Sequence, residues 1–128
     1  MMNKKLDTPF VSFEIEKDIL IASYKPNARI TLKDAKEIVA SRMAFIEGKP
    51  MPTLILNHGI VKMDKKARDF FASPEGIAGV KCAALLLSSG FISLTTNFFL
   101  KVTKTKLLVK TFTDKQEAIE WLNFITGL

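Results

Sequence analysis

The sequence predicts an α/β fold: a five-stranded mixed sheet with four helices in the order β-β-α-β-α-β-α-β-α, the first strand antiparallel. Three observations lead there. Two short runs, VSFEIE and ILIASY, flank a Lys17-Asp18 turn. Two later runs, TLIL and VKCAALLL, are so apolar that both faces of each strand must be covered, as in a parallel sheet with helices on each side. Finally, LLVKTF passes directly into TDKQEAIEWL, a strand followed by a capped helix that closes a repeating strand-helix pattern.

Taken in order, VSFEIE places Phe13 and Ile15 on one face and Ser12, Glu14 and Glu16 on the other, the period of a half-buried strand. ILIASY is more continuously apolar, so the two form an antiparallel hairpin with the second strand nearer the sheet centre. After the Lys25-Pro26-Asn27-Ala28 loop, Thr31 and Asp34 resemble a capping box, and a helix is expected from Leu32 to about Glu47. Its apolar face gathers Leu32, Ala35, Val39, Met43 and Ile46, flanked by Ile38 and Phe45. Gly48-Lys49-Pro50 ends it, and Pro52 with TLIL gives the third strand, which runs into Asn57-His58-Gly59.

Asp64 is the expected cap of a second helix with Ala67, Phe70 and Phe71 inward, stopped by the Ser73-Pro74-Glu75-Gly76 turn. VKCAALLL is the fourth strand. A third helix is expected from Ser89-Gly90 through Lys101, with an apolar arc too wide for one contact: Phe91, Leu94, Phe98 and Val102 at its centre, Ile92 and Phe99 to one side. Leu107 to Phe112 is the fifth strand. Thr113 with Gln116 is expected to cap the last helix, whose core stripe is Ala118, Trp121, Leu122 and Ile125.

The chain length of 128 residues, 48% apolar, fits one domain over residues 1–128, with residues 1–9 a flexible lead. The net charge of +6 raises the expectation of an anionic partner. The excess is mostly lysine, with only Arg29, Arg42 and Arg68 able to offer a bidentate guanidinium, so nucleic acid is an unlikely partner by composition. The lone Cys82 cannot form an internal disulfide and sits in an apolar run, which fits a reducing, cytoplasmic setting. No apolar h-region follows MMNKKLDTP. Residues 82–100 are uncharged and have the outline of a membrane span, but Ser88-Ser89-Gly90 breaks the run and Ser93, Thr95, Thr96 and Asn97 add polar groups, so a strand, turn and helix are expected instead of a transmembrane segment.

The strand order, the length and the ending FTDKQEAIEWL resemble the SpoIIAA-like, or STAS-like, bacterial domains over nearly the whole chain. The resemblance implies a sheet of this type. It implies less about activity, because function lies in sites and not in folds. Well-known members are anti-sigma factor antagonists switched by phosphorylation of a serine in an Asp-x-Ser-Gly motif after the third strand. The matching stretch here reads Asn57-His58-Gly59-Ile60, with glycine in place of the serine and asparagine in place of the aspartate, so that switch does not carry over. Other relatives stand alone, with a suggested likeness to domains that carry lipids, and this chain looks closer to those.

Candidate sites follow from the rule that open α/β sheets bind ligands beyond the carboxyl ends of their parallel strands, here Asn57 to Asp64 and Ser88 to Phe91. His58 beside Ser89 lacks the orienting acid, oxyanion hole and GxSxG elbow of a nucleophilic site, so no catalytic residue is assigned and a non-enzymatic role is expected. One His and one Cys make no usual zinc site, and no glycine-rich phosphate loop is present, so neither metal nor cofactor is expected.

Partner or ligand contacts are assigned to Asn57, His58, Gly59, Ser89, Phe91, Leu94, Phe98 and Phe99, the aromatics of the third helix serving a homodimer, another protein or an apolar ligand, with extra core as the plain alternative. Arg42, Lys65 and Arg68 are anion-contact candidates. Arg42 falls within the apolar arc of the first helix, so it either holds an anionic headgroup or packs its stem and keeps its charge in water. Lys62, Lys65, Lys66 and Arg68, with Lys101, Lys104, Lys106 and Lys110, form a patch for acidic proteins or anionic lipid if the second and third helices are neighbours, and otherwise a solvated surface.

Overall fold

A computed structural model describes residues 4–57, 62–86 and 107–127. The hairpin forms where the alternation places it. Strand β2 (Val11–Glu16) pairs antiparallel with β3 (Ile19–Tyr24), with Phe13 opposite Ala22 and Ile15 opposite Leu20. Its two-residue turn has Lys17 and Asp18 at φ 50° and 66°, the positive-φ backbone that lets a tight hairpin follow the strand twist. The ladder extends further than expected. Residues 4–7 form an edge strand, β1 (Lys4–Asp7), antiparallel to β2, so the sheet has six strands and not five. Its exposed KKLD carries the charge that keeps an open edge from pairing with other chains. No apolar alternation marks a strand with all four residues exposed, which is why the sequence reads as a frayed start there.

From β3 onward the ladder is parallel, with β5 (Met51–Asn57), β7 (Val80–Leu86) and β8 (Val109–Phe112) following in turn, so the order is β1-β2-β3-β5-β7-β8. Pro52 occupies a central strand without a backbone donor, and the β5–β7 register shifts between Met51 and Pro52, the irregularity that such a proline requires.

Helix α1 (Leu32–Phe45) begins at the expected capping box: the Asp34 backbone N–H donates to Thr31 Oγ1 at 3.3 Å, and the Thr31 N–H donates to Asp34 Oδ2 at 3.0 Å. Helix α2 (Lys65–Ala72) is capped by Asp64, which accepts from the Ala67 N–H at 2.8 Å. The Ser73 to Gly76 stretch read as a turn is a single helical turn, α3 (Pro74–Ile77), capped by Ser73. In the last helix, α4 (Lys115–Thr126), the cap is Asp114, not Thr113: its carboxylate accepts from the Glu117 N–H at 3.2 Å. Aspartate is the stronger cap, and the frame it sets places Ala118 and Leu122 on the sheet. The helix ends on Gly127 at φ 75°.

Period-two alternation decides which helix covers which face. Leu20, Ala22 and Tyr24 of β3 join Val11, Phe13, Ile30, Ala35, Ile38, Phe45, Ala67 and Phe71 in one cluster beneath α1 and α2. Ile19, Ile21, Leu54, Leu56, Cys82 and Ala84 point the other way and meet Ala118 and Leu122 of α4. The continuous apolar runs are thus covered on both sides, as expected. Trp121 completes this second layer by a tilted contact on Phe112, ring centroids 5.7 Å apart. Ile125, expected in the stripe, is 36% exposed. The third helix read from Ser89 to Lys101 lies outside the described residues.

Candidate functional site

The parallel strands β3, β5, β7 and β8 end at Tyr24, Asn57, Leu86 and Phe112, and Tyr24 stands beside Asn57 in register. Beyond that line the connections after β3 and β5 form a small parallel sheet of their own. Arg29 pairs with Lys62 and Ile30 with Met63, in β4 (Arg29–Ile30) and β6 (Lys62–Met63). The Lys62 N–H donates to the Ala28 carbonyl at 2.8 Å, and the Asp64 N–H donates to the Ile30 carbonyl at 3.3 Å. Alternation turns Ile30 into the core, 2% exposed, and leaves Arg29 and Lys62 side by side in solvent. Lys65 and Lys66 follow in the first turn of α2, both exposed. Arg68 folds back, its Nη1 donating to the Met63 carbonyl at 2.8 Å.

Among the described residues, the buried titratable groups are Tyr24, Arg42 and Cys82. Tyr24 is buried, and desolvation pushes its phenol up to about 12, a shift that the Arg42 charge opposes. It is a neutral side chain over the physiological range. Arg42 is 7% exposed, so its charge is not kept in water: its Nη2 donates to the Gly76 carbonyl at 2.9 Å and the Ala78 carbonyl at 2.7 Å. Its Nε is buried without a hydrogen-bond partner among the described residues. The guanidinium closes the carboxyl end of α3, where carbonyls have no helical donors left. Burial lowers its basicity from the usual arginine value, with Tyr24 acting in the opposite direction. Cys82, 1% exposed, has its thiol pushed up by burial, away from the thiolate form that reacts.

Of the residues assigned from sequence, Asn57, Arg42, Lys65 and Arg68 are described. Asn57 closes β5, half-buried beside Tyr24. Lys65 pairs with Asp69 at 3.1 Å on the open surface of α2, a contact worth little in water. His58, Gly59, Ser89, Phe91, Leu94, Phe98 and Phe99 lie outside the described residues, as do Lys101, Lys104 and Lys106 of the basic patch. Sequence reasoning missed Arg29, since a two-residue strand carries no periodicity from which to infer its partner. It also missed two exposed apolar side chains: Leu108 is 55% exposed and Phe124 82% exposed. Because α4 runs back along β8, both fall toward the amino-terminal end of the parallel strands.

Among the described residues there is no group of three His, Cys, Asp or Glu side chains arranged to hold a metal, and no helix long and apolar enough to cross a membrane. Cys82 to Leu86, the start of the uncharged run weighed as a possible span, is part of the central strand β7.

Among solved structures, the chain is similar to an uncharacterised protein of the DUF3478 family from Shewanella loihica PV-4, which has a SpoIIAA-like fold. The TM-score is 0.60 at 17% identity, over 95% of this chain and 96% of that one. At that identity the likeness establishes the fold, and the SpoIIAA-like reading of the sequence holds. The chain has no match among curated proteins. One family accounts for residues 13–126, nearly the whole chain, and the chain therefore belongs to the domain of unknown function DUF7793.

Proposed function

We propose that this SpoIIAA-like domain is a non-enzymatic, cytoplasmic regulatory module that works by binding a protein, either another copy of itself or a separate partner. The observation that carries this reading is the exposure of two large apolar side chains, Leu108 and Phe124. Phe124 stands almost fully in water on a helix whose inward face is already complete with Ala118 and Leu122. Aromatic side chains of this kind are enriched where proteins meet. Three polar groups of the fold support the same reading. Tyr24 is held neutral, Asp64 caps a helix and Arg42 holds two carbonyls, so each has a task in the fold. The serine of the phospho-switch is replaced by Gly59, which separates this module from antagonists regulated in that way.

The test is light scattering on size-exclusion fractions of the wild type and of a Phe124→Ser, Leu108→Ser variant. The expected result is a complex larger than one chain for the wild type, alone or with a copurifying protein, and a folded monomer for the variant. A wild type that stays monomeric and carries a lipid would instead favour a small apolar-ligand binding module.

A further inference from the structure

We propose that the outward face of the β4–β6 ladder, with the first turn of α2, binds a carboxylate-rich segment of a partner protein. The inference rests on the reading of the chain as a protein-interaction domain and adds the chemistry of one partner.

The observation behind it is the register. Arg29 and Lys62 are neighbours across a two-stranded ladder with both side chains in solvent. Like charges in that position destabilise a strand pair, and opposite charges would stabilise it. The same strain continues along the chain. Helix α2 opens on Lys65 and Lys66 with no acidic side chain in its first turn, although the amino-terminal pole of a helix favours negative charge. The fold relieves this crowding only in part, through the Asp64 cap at the start of α2 and the Lys65–Asp69 pair. All thirteen Asp and Glu of the sequence fall within the described residues. The ion pairs among those residues are Lys4 with Glu47, Lys25 with Asp7 and Lys65 with Asp69. Arg29, Lys62 and Lys66 join none of them.

Three features choose an acidic peptide over the other polyanions. A membrane surface would be expected to take up apolar side chains beside the charges. The exposed large apolar residues among those described are Leu6, Leu108, Phe124 and Ile125, none of them on β4, β6 or α2. Nucleic acid is gripped best by free guanidinium groups, and Arg68 is engaged with the Met63 carbonyl, leaving Arg29 with lysines. The cations also lie along a strand pair and one helical turn, an extended track that fits spaced carboxylates better than a single phosphate.

The experiment is fluorescence anisotropy of a labelled oligo-glutamate peptide with the full chain at low salt, beside a single-stranded oligonucleotide of equal charge and vesicles rich in phosphatidylserine. The proposal expects the peptide to bind best, to weaken as salt is added, and to lose about tenfold in affinity when Arg29→Gln and Lys62→Gln are combined. Lys36→Gln, which removes an exposed charge on α1, should leave binding unchanged. Both substituted positions are exposed, and the double variant should melt no lower than the wild type at low salt, since it removes a repulsion. No peptide binding, equal loss from Lys36→Gln, or stronger binding of the oligonucleotide or the vesicles would overturn the assignment. The double variant leaves Leu108 and Phe124 intact, so failure here with the protein complex still present would remove the acidic partner alone.

Discussion

Arg42 and Ala78 are joined by the shortest of the arginine's contacts: Nη2 of a buried side chain in the last turn of α1 donates at 2.7 Å to the carbonyl just past α3. The same nitrogen reaches Gly76 at 2.9 Å, so one guanidinium fixes the first helix against the entrance to β7. The Arg42→Met variant keeps the apolar stem but leaves two carbonyls without a donor. Chemical denaturation should show a loss of about 2 to 3 kcal/mol, on the scale of charged hydrogen bonds removed from a buried site. A loss below about 0.5 kcal/mol, the range of ordinary surface changes, would mean that water replaces the contact freely.

Tyr24 is the sole tyrosine, so tyrosinate absorbance reports it alone. Its folded value of about 12 lies above the ordinary 10.0, chiefly because burial disfavours the phenolate. Below pH 10 the phenol is neutral in both folded and unfolded chains, and its full contribution to stability is present. Between pH 10 and about 12 only the unfolded chain ionises, so stability should fall, by about 2 to 3 kcal/mol across the window. Tyr24→Phe should abolish that part of the alkaline loss. A tyrosine titrating near 10 in the folded protein would contradict the buried position.

Gly76 lies where α3 folds against α2. An added Cβ would meet the Phe70 carbonyl oxygen and come within 2.6 Å of the Phe71 Cα, and backbone atoms cannot turn aside as a side-chain tip can. Gly76→Ala should therefore destabilise by about 1 to 3 kcal/mol, the range for overpacking, although alanine favours helix. Thermal melts of the two proteins check this, and equal midpoints would contradict it.

The cap of α4 separates the sequence reading from the structure directly. Asp114→Ala should cost about 1 kcal/mol, the usual cost of a lost cap, while Thr113→Ala should be close to neutral. The reverse order in denaturation midpoints would restore Thr113 as the cap.

That one-residue shift shows where the sequence was legible. Period and apolar runs are properties of several residues together, and they placed β2, β3, β5, β7 and α1 within a residue or two. The capping box at Thr31 and Asp34 was legible because both halves are local. The edge strand β1 and the β4–β6 ladder were not: four exposed residues and a pair of dipeptides have no apolar pattern, and their pairing is set by the chain around them. Arg42 was correctly placed on the apolar arc, but its partners lie thirty-four and thirty-six residues away, in carbonyls that no side-chain pattern advertises. Phe124 falls outside the expected core stripe and Leu108 was placed only within a strand, and their exposure is visible in the folded chain alone.

The central claim, a domain that acts by binding protein, is tested most directly by native mass spectrometry of gently purified chain. The account predicts a protein complex, either a dimer or the chain with a second polypeptide, free of small-ligand mass and lost in the Phe124→Ser, Leu108→Ser variant. A monomer that retains lipid mass would contradict it.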